Sequence, residues 1–184
     1  MKKPHQSINI ILLLLAIGLL VGCETTKVGE KKDKLTYTTF RMHLEVIKDE
    51  SGFVAPIEVF RSNPQQLYVH QVPFLDERNV TEAKVIDDIR EIDGERVNMG
   101  KAIGVQFDRT GKMLLQSTTL SNRGKRIAIH SFFPEGRWIT AKVITRTLPD
   151  GVIAFTPDAT PEEMLRIVDG LNAVSKKLET KKYW

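Results

Sequence analysis

A continuous apolar run near the start of the chain sets the strongest limit on what can fold. Lys2 and Lys3 precede it, it spans residues 8–22 with a single asparagine, and the chain's only cysteine, Cys23, follows directly. A helix rises about 1.5 Å per residue, so the run reaches roughly 22 Å, less than the roughly 30 Å of a bilayer core. A basic start, a short apolar core and small residues at its end are typical of a secretory signal. We therefore predict that residues 1–22 are a signal peptide, outside the folded domain.

The last four residues of this segment, Leu20-Val21-Gly22-Cys23, resemble the lipobox of bacterial lipoproteins. In that family the cysteine thiol receives a diacylglyceryl group, the peptide is cut before it, and the new N-terminus is acylated. Two or three acyl chains anchor a protein stably, because each methylene buried in lipid contributes about 0.8 kcal/mol. The resemblance implies that Cys23 is lipidated and attaches the mature chain to a membrane. A cleaved signal with a chance cysteine, or an uncut short anchor, are the alternatives.

Polar residues follow the cysteine, and residues 23–35 are predicted to be a flexible tether. In enterobacterial lipoproteins an aspartate directly after the cysteine favours the inner membrane. Glu24 occupies that position here, so the resemblance favours the outer membrane, with the chain facing the periplasm. The folded domain is expected at 36–176, followed by a basic tail at 177–184.

Charge and cysteine content exclude two classes of protein. Removing the signal takes away two lysines and no acid, so the net charge falls from +4 to +2. This near balance gives no support for nucleic-acid binding. With a single cysteine the domain forms no internal disulfide, so its stability must come from a hydrophobic core.

Alternating apolar and polar residues predict a series of strands. They are expected at 38–47, 55–60, 67–72, 83–89, 102–107, 126–132, 138–145 and 152–155. The first two are expected to form an antiparallel hairpin, since a turn sequence, Asp49-Glu50-Ser51-Gly52, lies between them.

Two helices are predicted within this series of strands. Asp108 is a good N-cap for a helix over 109–120, whose inward-facing side chains are expected to be Met113, Leu114 and Leu120.

The second helix has a capping box: Thr160 precedes Pro161 at the first helical position, and Glu163 lies three residues after the cap. Two helices on one face of a mostly antiparallel sheet give an α+β fold.

The stretch from Gly104 to Ile144 resembles the periplasmic head region of SecD, an accessory subunit of the bacterial protein-export machine. That family shows a strand, a helix with an acidic start, an N-x-G-K-R-hydrophobic-A-I strand and an isoleucine-rich return; residues 122–129 here read NRGKRIAI. The later FTPDATPEEMLRIVDGL resembles the family's closing turn and helix, and YVHQVPFLDERNVTEAKVI resembles its upstream strands. One departure is Ala141-Lys142, where SecD often has Ala-Pro.

The resemblance implies a SecD-head-like fold and a surface that contacts polypeptide. SecD also has several transmembrane helices that use the proton gradient, and this sequence contains none of them. Energy-driven translocation is therefore not implied.

The sequence contains no motif for catalysis, metal binding or cofactor binding. His43, His70 and His130 lie on predicted strands without the close spacing of metal ligands. Two acidic pairs, Asp87-Asp88 and Glu162-Glu163, resemble acid–base pairs, but the second is explained by helix capping. We predict no enzymatic activity, no metal and no cofactor.

Two clusters remain as candidate binding sites. The basic cluster at 122–126 could hold an acidic group, although a helix C-cap is the favoured interpretation. Phe132, Phe133 and Trp138 flank a turn at 134–136 and either form an exposed patch for a partner or cover a sheet edge.

Together these features predict a non-enzymatic, lipid-anchored envelope protein with a SecD-head-like domain. Its expected partners are the membrane, through the lipid, and exported polypeptide segments or envelope proteins, bound by strand addition or in a groove. A structural lipoprotein with a fixed place in an envelope complex is the alternative.

Overall fold

The structure is a computed structural model that describes residues 37–49, 52–133 and 135–181. Cys23 and the tether predictions therefore lie outside the described residues. The elements are β1 Thr39–Leu44, β2 Val54–Val59, β3 Gln65–His70, β4 Leu75–Asp76, a 3-10 turn Glu77–Asn79, β5 Val80–Ile92, β6 Glu95–Phe107, α1 Arg109–Ser121, β7 Arg126–Phe132, β8 Gly136–Val143, β9 Val152–Phe155 and α2 Pro161–Lys181.

The strands form three antiparallel sheets, which confirms the α+β class. Their orders are β4-β1-β7-β8, β2-β3 and β5-β6-β9. The predicted hairpin between the first two strands is wrong, because β2 pairs with β3. Strand β1 already has β4 on one side and β7 on the other, so neither of its edges is left for β2.

Both helices pack into one hydrophobic core beside the four-stranded and three-stranded sheets. Leu115 of α1 and Leu171 of α2 are fully buried there, with Ile129 and Ile153 from the sheets. Because side chains alternate along a strand, Ala128 lies on the opposite face from Ile129. There the β2–β3 hairpin covers it with a second apolar cluster, whose other buried members are Ile57, Val59, Leu67 and Val69.

Helix α1 buries a different face from the predicted one. Three side chains expected to face inward are exposed: Met113, Leu114 and Leu120. The buried residues are Gly111, Leu115 and Thr119. A Cβ atom on Gly111 would lie 2.8 Å from the Cβ of Phe107, so the missing side chain lets this face approach β6 closely. The inward-facing prediction is wrong because close approach at Gly111 selects the buried face.

The helix starts agree with the sequence. Asp108 Oδ1 accepts a hydrogen bond from Gly111 N–H at 2.7 Å. At α2, Thr160 Oγ1 accepts from Glu163 N–H at 3.2 Å and Glu163 Oε2 accepts from Thr160 N–H at 2.8 Å, so the capping box is confirmed.

Helix α2 continues to Lys181, five residues beyond the expected domain boundary at 176. Its last residues are mostly straight-chain helix formers, which extend the helix without losing much rotamer freedom. Within the part of the chain that the structure describes, no helix is long and apolar enough to cross a bilayer.

Candidate functional site

Strand β8 is an edge strand of the four-stranded sheet, and β9 is an edge strand of the three-stranded sheet. The outer edges of the two strands face each other across a groove. The loop after β9 meets β8 where Asp158 N–H donates to the Ile139 carbonyl at 2.7 Å. Beyond this bond no ladder joins β8 to β9 in the described chain. The gap is a groove that we call the notch, bounded by residues 140–143, 152–156 and 86–90.

Two adjoining cavities make up the notch. The larger, about 500 Å³, lies between β8, β9 and the outer part of β5. The smaller, about 230 Å³, continues along the loop that joins β8 to β9. Lys142, Val143, Thr145 and Ala154 line both, so the two cavities form one continuous groove.

The β9 edge presents backbone groups to the notch that no other described strand pairs with. Phe107 N–H donates to the Gly151 carbonyl at 2.9 Å, so Gly151 points toward β6. Residues alternate in an antiparallel ladder, and every second residue points away from the partner strand. Val152 and Ala154 therefore direct their N–H and C=O groups into the notch.

The β8 edge has the same property. Ile144 N–H donates to the Lys125 carbonyl at 2.8 Å, so Ile144 points toward β7. By the same alternation Val143 and Ala141 point outward. Ile139 is next in this series, and its carbonyl accepts the bond from Asp158. The notch is thus a place where β8 and the loop after β9 share one hydrogen bond and the two strand edges are separate.

The long β5–β6 hairpin supplies the third wall. Its pairing is irregular between Asp87 and Ile89, and Gly100 on the facing strand has a φ of +114°, a conformation that favours glycine. The distortion brings the Asp88 carboxylate within 2.9 Å of Thr156 Oγ1, which donates to it across β6. The outer hairpin therefore contacts the residue that directly follows β9.

Ion pairs neutralise two of the three acidic side chains that line the notch. Lys101 Nζ lies 2.7 Å from Asp87, and this hydrogen-bonded cation lowers the carboxyl's pKa. Arg90 lies 2.7 Å from Asp88 and lowers the pKa of that carboxyl in the same way. Both acids are thus held as carboxylates by adjacent cations, and neither resembles a catalytic acid.

Lys142 is the cation of the notch whose pKa is lowered. It is paired across the ladder with Ile127, whose side chain is in the core, so Lys142 leaves β8 on the core-facing side. Burial lowers the pKa of Lys142, and the positive charges of Arg90 and Arg146 lower it further, against the opposing effect of Asp88. The side chain still reaches solvent at the groove mouth. This combination is expected of an ammonium surrounded by walls and open at one end.

The histidines that the sequence singled out belong to the packing of the β2–β3 hairpin. His43 Nδ1 is 2.8 Å from the His70 carbonyl, and the rings of His43 and His130 meet Trp138 edge-on at 5.0 and 5.1 Å. Burial lowers the pKa of both His43 and His130. Among the described residues no group of three metal-ligating side chains comes together.

The three candidate aromatic residues do not form one exposed patch. Phe133 is 5% exposed, with the Arg166 guanidinium 5.6 Å from its ring centroid, and Trp138 packs between the two histidines. Only Phe132, at 51% exposure, presents its ring to solvent. A role of these residues in binding a partner stays a prediction.

The basic cluster after α1 forms the helix end. Asn122 is the C-cap, and its side chain donates to the Thr118 carbonyl at 3.0 Å. Lys125 Nζ donates to Asn122 Oδ1 at 2.9 Å, and Gly124 adopts a φ of +84°. These contacts confirm the C-cap interpretation.

Sequence reasoning missed the residues that line the notch, Lys142, Val143, Val152 and Ala154. The strands that carry them are predicted from alternation. Which edges stay unpaired depends on the order of strands in space, and alternation within one strand contains no such signal.

Comparison with known proteins gives a likeness in fold alone. No family model matches the chain, and no similar curated protein was found. A crystal structure of SecDF in a super-membrane-facing form has a TM-score of 0.51 and 16% identity, over 74% of this chain. The matched part is 19% of that SecDF, so this chain spans about a fifth of its length.

Two further SecDF structures have TM-scores below 0.5, which are too low to support a shared fold. One is described as a membrane component that enhances protein export, with a TM-score of 0.49, 15% identity and coverage of 94% of this chain and 71% of that one. The other, a translocon-associated membrane protein from Thermus thermophilus, has a TM-score of 0.39, 14% identity and coverage of 92% and 34%. The SecDF structure in the super-membrane-facing form, with its TM-score of 0.51, supports the SecD-like fold predicted from the sequence.

Proposed function

We propose that this chain is a lipid-anchored, non-enzymatic envelope protein that binds extended polypeptide segments in the notch, in a role linked to protein export. The observation that carries the proposal is the pair of open strand edges, β8 and β9, which line one groove. An extended segment placed between them would gain backbone hydrogen bonds on both sides, the mode known as strand addition. Its binding would join the two sheets into one.

The notch suits a short segment. Four outward-facing residues offer backbone groups: Ala141 and Val143 on one side, Val152 and Ala154 on the other. A strand rises about 3.3 Å per residue, so four to five bound residues would span about 15 Å. Because main-chain groups make these bonds, the site would accept many sequences, as a protein that handles exported chains requires.

The lipid anchor rests on the sequence around Cys23. The apolar run is short for a permanent span, and the only cysteine lies where a lipoprotein signal is cut. Mass spectrometry of the mature N-terminus tests the anchor: a diacylglyceryl group on Cys23 is expected, and an unmodified thiol would contradict it.

The non-enzymatic part of the proposal is supported by the state of the acidic residues. Asp87 and Asp88 are ion-paired at the notch, and Glu163 both caps α2 and lies 2.9 Å from Arg137. These carboxylates have structural partners, and each has a pKa below its usual value, the reverse of what a general acid at neutral pH needs.

Site-specific photo-crosslinking tests the binding proposal. A photoreactive amino acid replaces Val143 or Val152 in the purified full chain in detergent, and the probe is a reduced, permanently unfolded polypeptide. We expect crosslinks from both positions. The matched control is Glu58, exposed on the β2–β3 hairpin, from which none is expected. Equal yields from Glu58 and the notch would refute the proposal.

A second candidate function is a structural lipoprotein with a fixed partner. The exposed apolar side chains of α1, Met113 and Leu120 at 63% each, favour it, because such surfaces often mark protein interfaces. A stable stoichiometric partner that dissociates from a Met113→Ser, Leu120→Ser double variant would support this candidate. If the double variant retains that partner, the exposed apolar face of α1 is not the binding surface.

A further inference from the structure

Three acids and three cations line the notch, and Lys101, which pairs with Asp87 beside it, adds a fourth cation. Asp87 and Asp88 are each satisfied by one cation, Lys101 and Arg90 respectively. Lys142 has no salt bridge with another described residue.

Arg146 likewise lines the notch without a salt bridge in the described chain, and the acid left to face it is Asp150 on the rim. When the pairs Asp87–Lys101 and Asp88–Arg90 are set aside, two cations are left with one acid, although Asp88 also attracts Lys142.

A carboxylate partner would stabilise Lys142. The side chain reaches solvent, but nearby protein replaces part of its hydration, and the repulsion from Arg90 and Arg146 outweighs the attraction of Asp88. An ammonium in such surroundings is stabilised by a carboxylate more than an exposed one is, because the local dielectric is lower and screening by salt is weaker.

Lys142 also lies beside the backbone groups that a bound strand would use. It is the residue between Ala141 and Val143, which point outward, and both cavities of the notch contact it. A strand paired with this edge would place one of its own side chains within reach of the ammonium.

We propose that the notch selects extended segments that carry an acidic side chain, whose carboxylate binds the ammonium of Lys142 with Arg146 adding attraction. This rests on the proposed function and names its preferred ligand. The backbone edges supply affinity for any extended chain, and Lys142 supplies the preference for one charge. Basic segments bind more weakly, because they place a further positive charge beside Lys142 and Arg146.

Two synthetic peptides test the selectivity. Both are eight residues of alternating valine and threonine with blocked ends, one with a central glutamate and the other with a central lysine. Binding to the full chain in detergent is followed by fluorescence anisotropy at low and high salt. We expect the glutamate peptide to bind about tenfold more tightly at low salt, with a smaller ratio in high salt.

Variants separate the two levels of the proposal. Lys142→Met should bring the two affinities close together, Lys142→Arg should keep the preference, and the control Lys48→Met, on the segment between β1 and β2, should leave it unchanged. Equal affinities in the unaltered protein would overturn the selectivity while leaving strand addition intact. Failure of both peptides to bind would overturn the proposed function itself.

Discussion

The two edges of the three-stranded sheet differ in how the protein treats them. On the β5 edge, Asn172 of α2 accepts a hydrogen bond from Ala83 N–H at 2.8 Å and donates one to the Ala83 carbonyl at 3.0 Å. Ser175 adds a bond to the Thr81 carbonyl at 2.9 Å. These are the bonds that a neighbouring strand would make. On the β9 edge, Ala154 faces the notch with no such cover among the described residues.

This difference between the two edges suggests a function for the uncovered β9 edge. An uncovered strand edge is an aggregation hazard that proteins usually block. The same sheet is blocked at β5 by two polar side chains of one helix. The chain therefore has the means to cover an edge, and the bare edge at β9 is consistent with a surface kept for a ligand.

Amide hydrogen exchange should show the largest contrast between the edges. Ala83 N–H is held by a half-buried side chain and exchanges only when α2 or the sheet opens, whereas Ala154 N–H is free to exchange from the native state. We expect the Ala154 amide to exchange at least about a thousandfold faster, measured residue by residue by NMR without peptide. Similar protection at both positions would mean that the β9 edge is covered.

Proline substitution gives a matched pair, since both edges have an alanine. Ala83→Pro removes the donor to Asn172 and sets a ring in the core, and we expect a loss of about 3 kcal/mol or more. Ala154→Pro removes an amide that the native sheet does not use, so the change should stay below about 1 kcal/mol while peptide binding is lost. Urea unfolding measures the first quantity and anisotropy the second. Equal destabilisation by the two prolines would show that the β9 edge is no more open than the β5 edge.

Removing the covering side chain should convert the protected edge into an open one. Asn172→Ala leaves both backbone groups of Ala83 without partners, and a cost of about 2 kcal/mol is expected. Ser175→Ala removes one bond and should cost about 1 kcal/mol. If Asn172 covers the β5 edge, Asn172→Ala also makes the Ala83 amide exchange faster, while the exchange rate of the Ala154 amide is unchanged.

Acid pH should loosen the start of the covering helix. Burial alone would raise the pKa of Glu163, but the hydrogen bond from Thr160 and the charges of Arg137 and Arg61 outweigh it and lower the pKa. A carboxyl with a lowered pKa stabilises the fold above its unfolded pKa of about 4.3, and this contribution is lost as the pH falls through the folded value. We expect Glu163→Gln to cost about 1 kcal/mol at pH 7 and almost nothing at pH 2, followed by thermal unfolding. A pH-independent difference would show that the carboxylate charge is not what matters.

Local sequence signals predict the structure well where the interaction spans a few residues. The caps at Asp108 and Thr160 form as expected. The helix C-cap at Asn122 belongs to the same group. Each depends on neighbouring backbone groups, so composition at fixed spacing is enough.

Longer-range choices were missed for identifiable reasons. The buried face of α1 was misjudged because apolar side chains such as Met113 suggested burial, while the decisive contact is the approach of Gly111 to Phe107. The partner of β2 was misjudged because adjacency along the chain favoured β1, whose two edges are filled by β4 and β7.

The sequence by itself determined the short apolar run that precedes Cys23, the helix caps, the α+β class and most strand positions, because each depends on neighbouring residues. It missed β4 and the outer half of the β5–β6 hairpin. Only the tertiary structure decided that β8 and β9 separate beyond Ile139, that Asn172 covers the opposite edge, and that Lys142 lies in the gap between them. Strand order and edge exposure come from contacts between residues far apart in the chain, and an alternating pattern is the same for a covered edge and an open one.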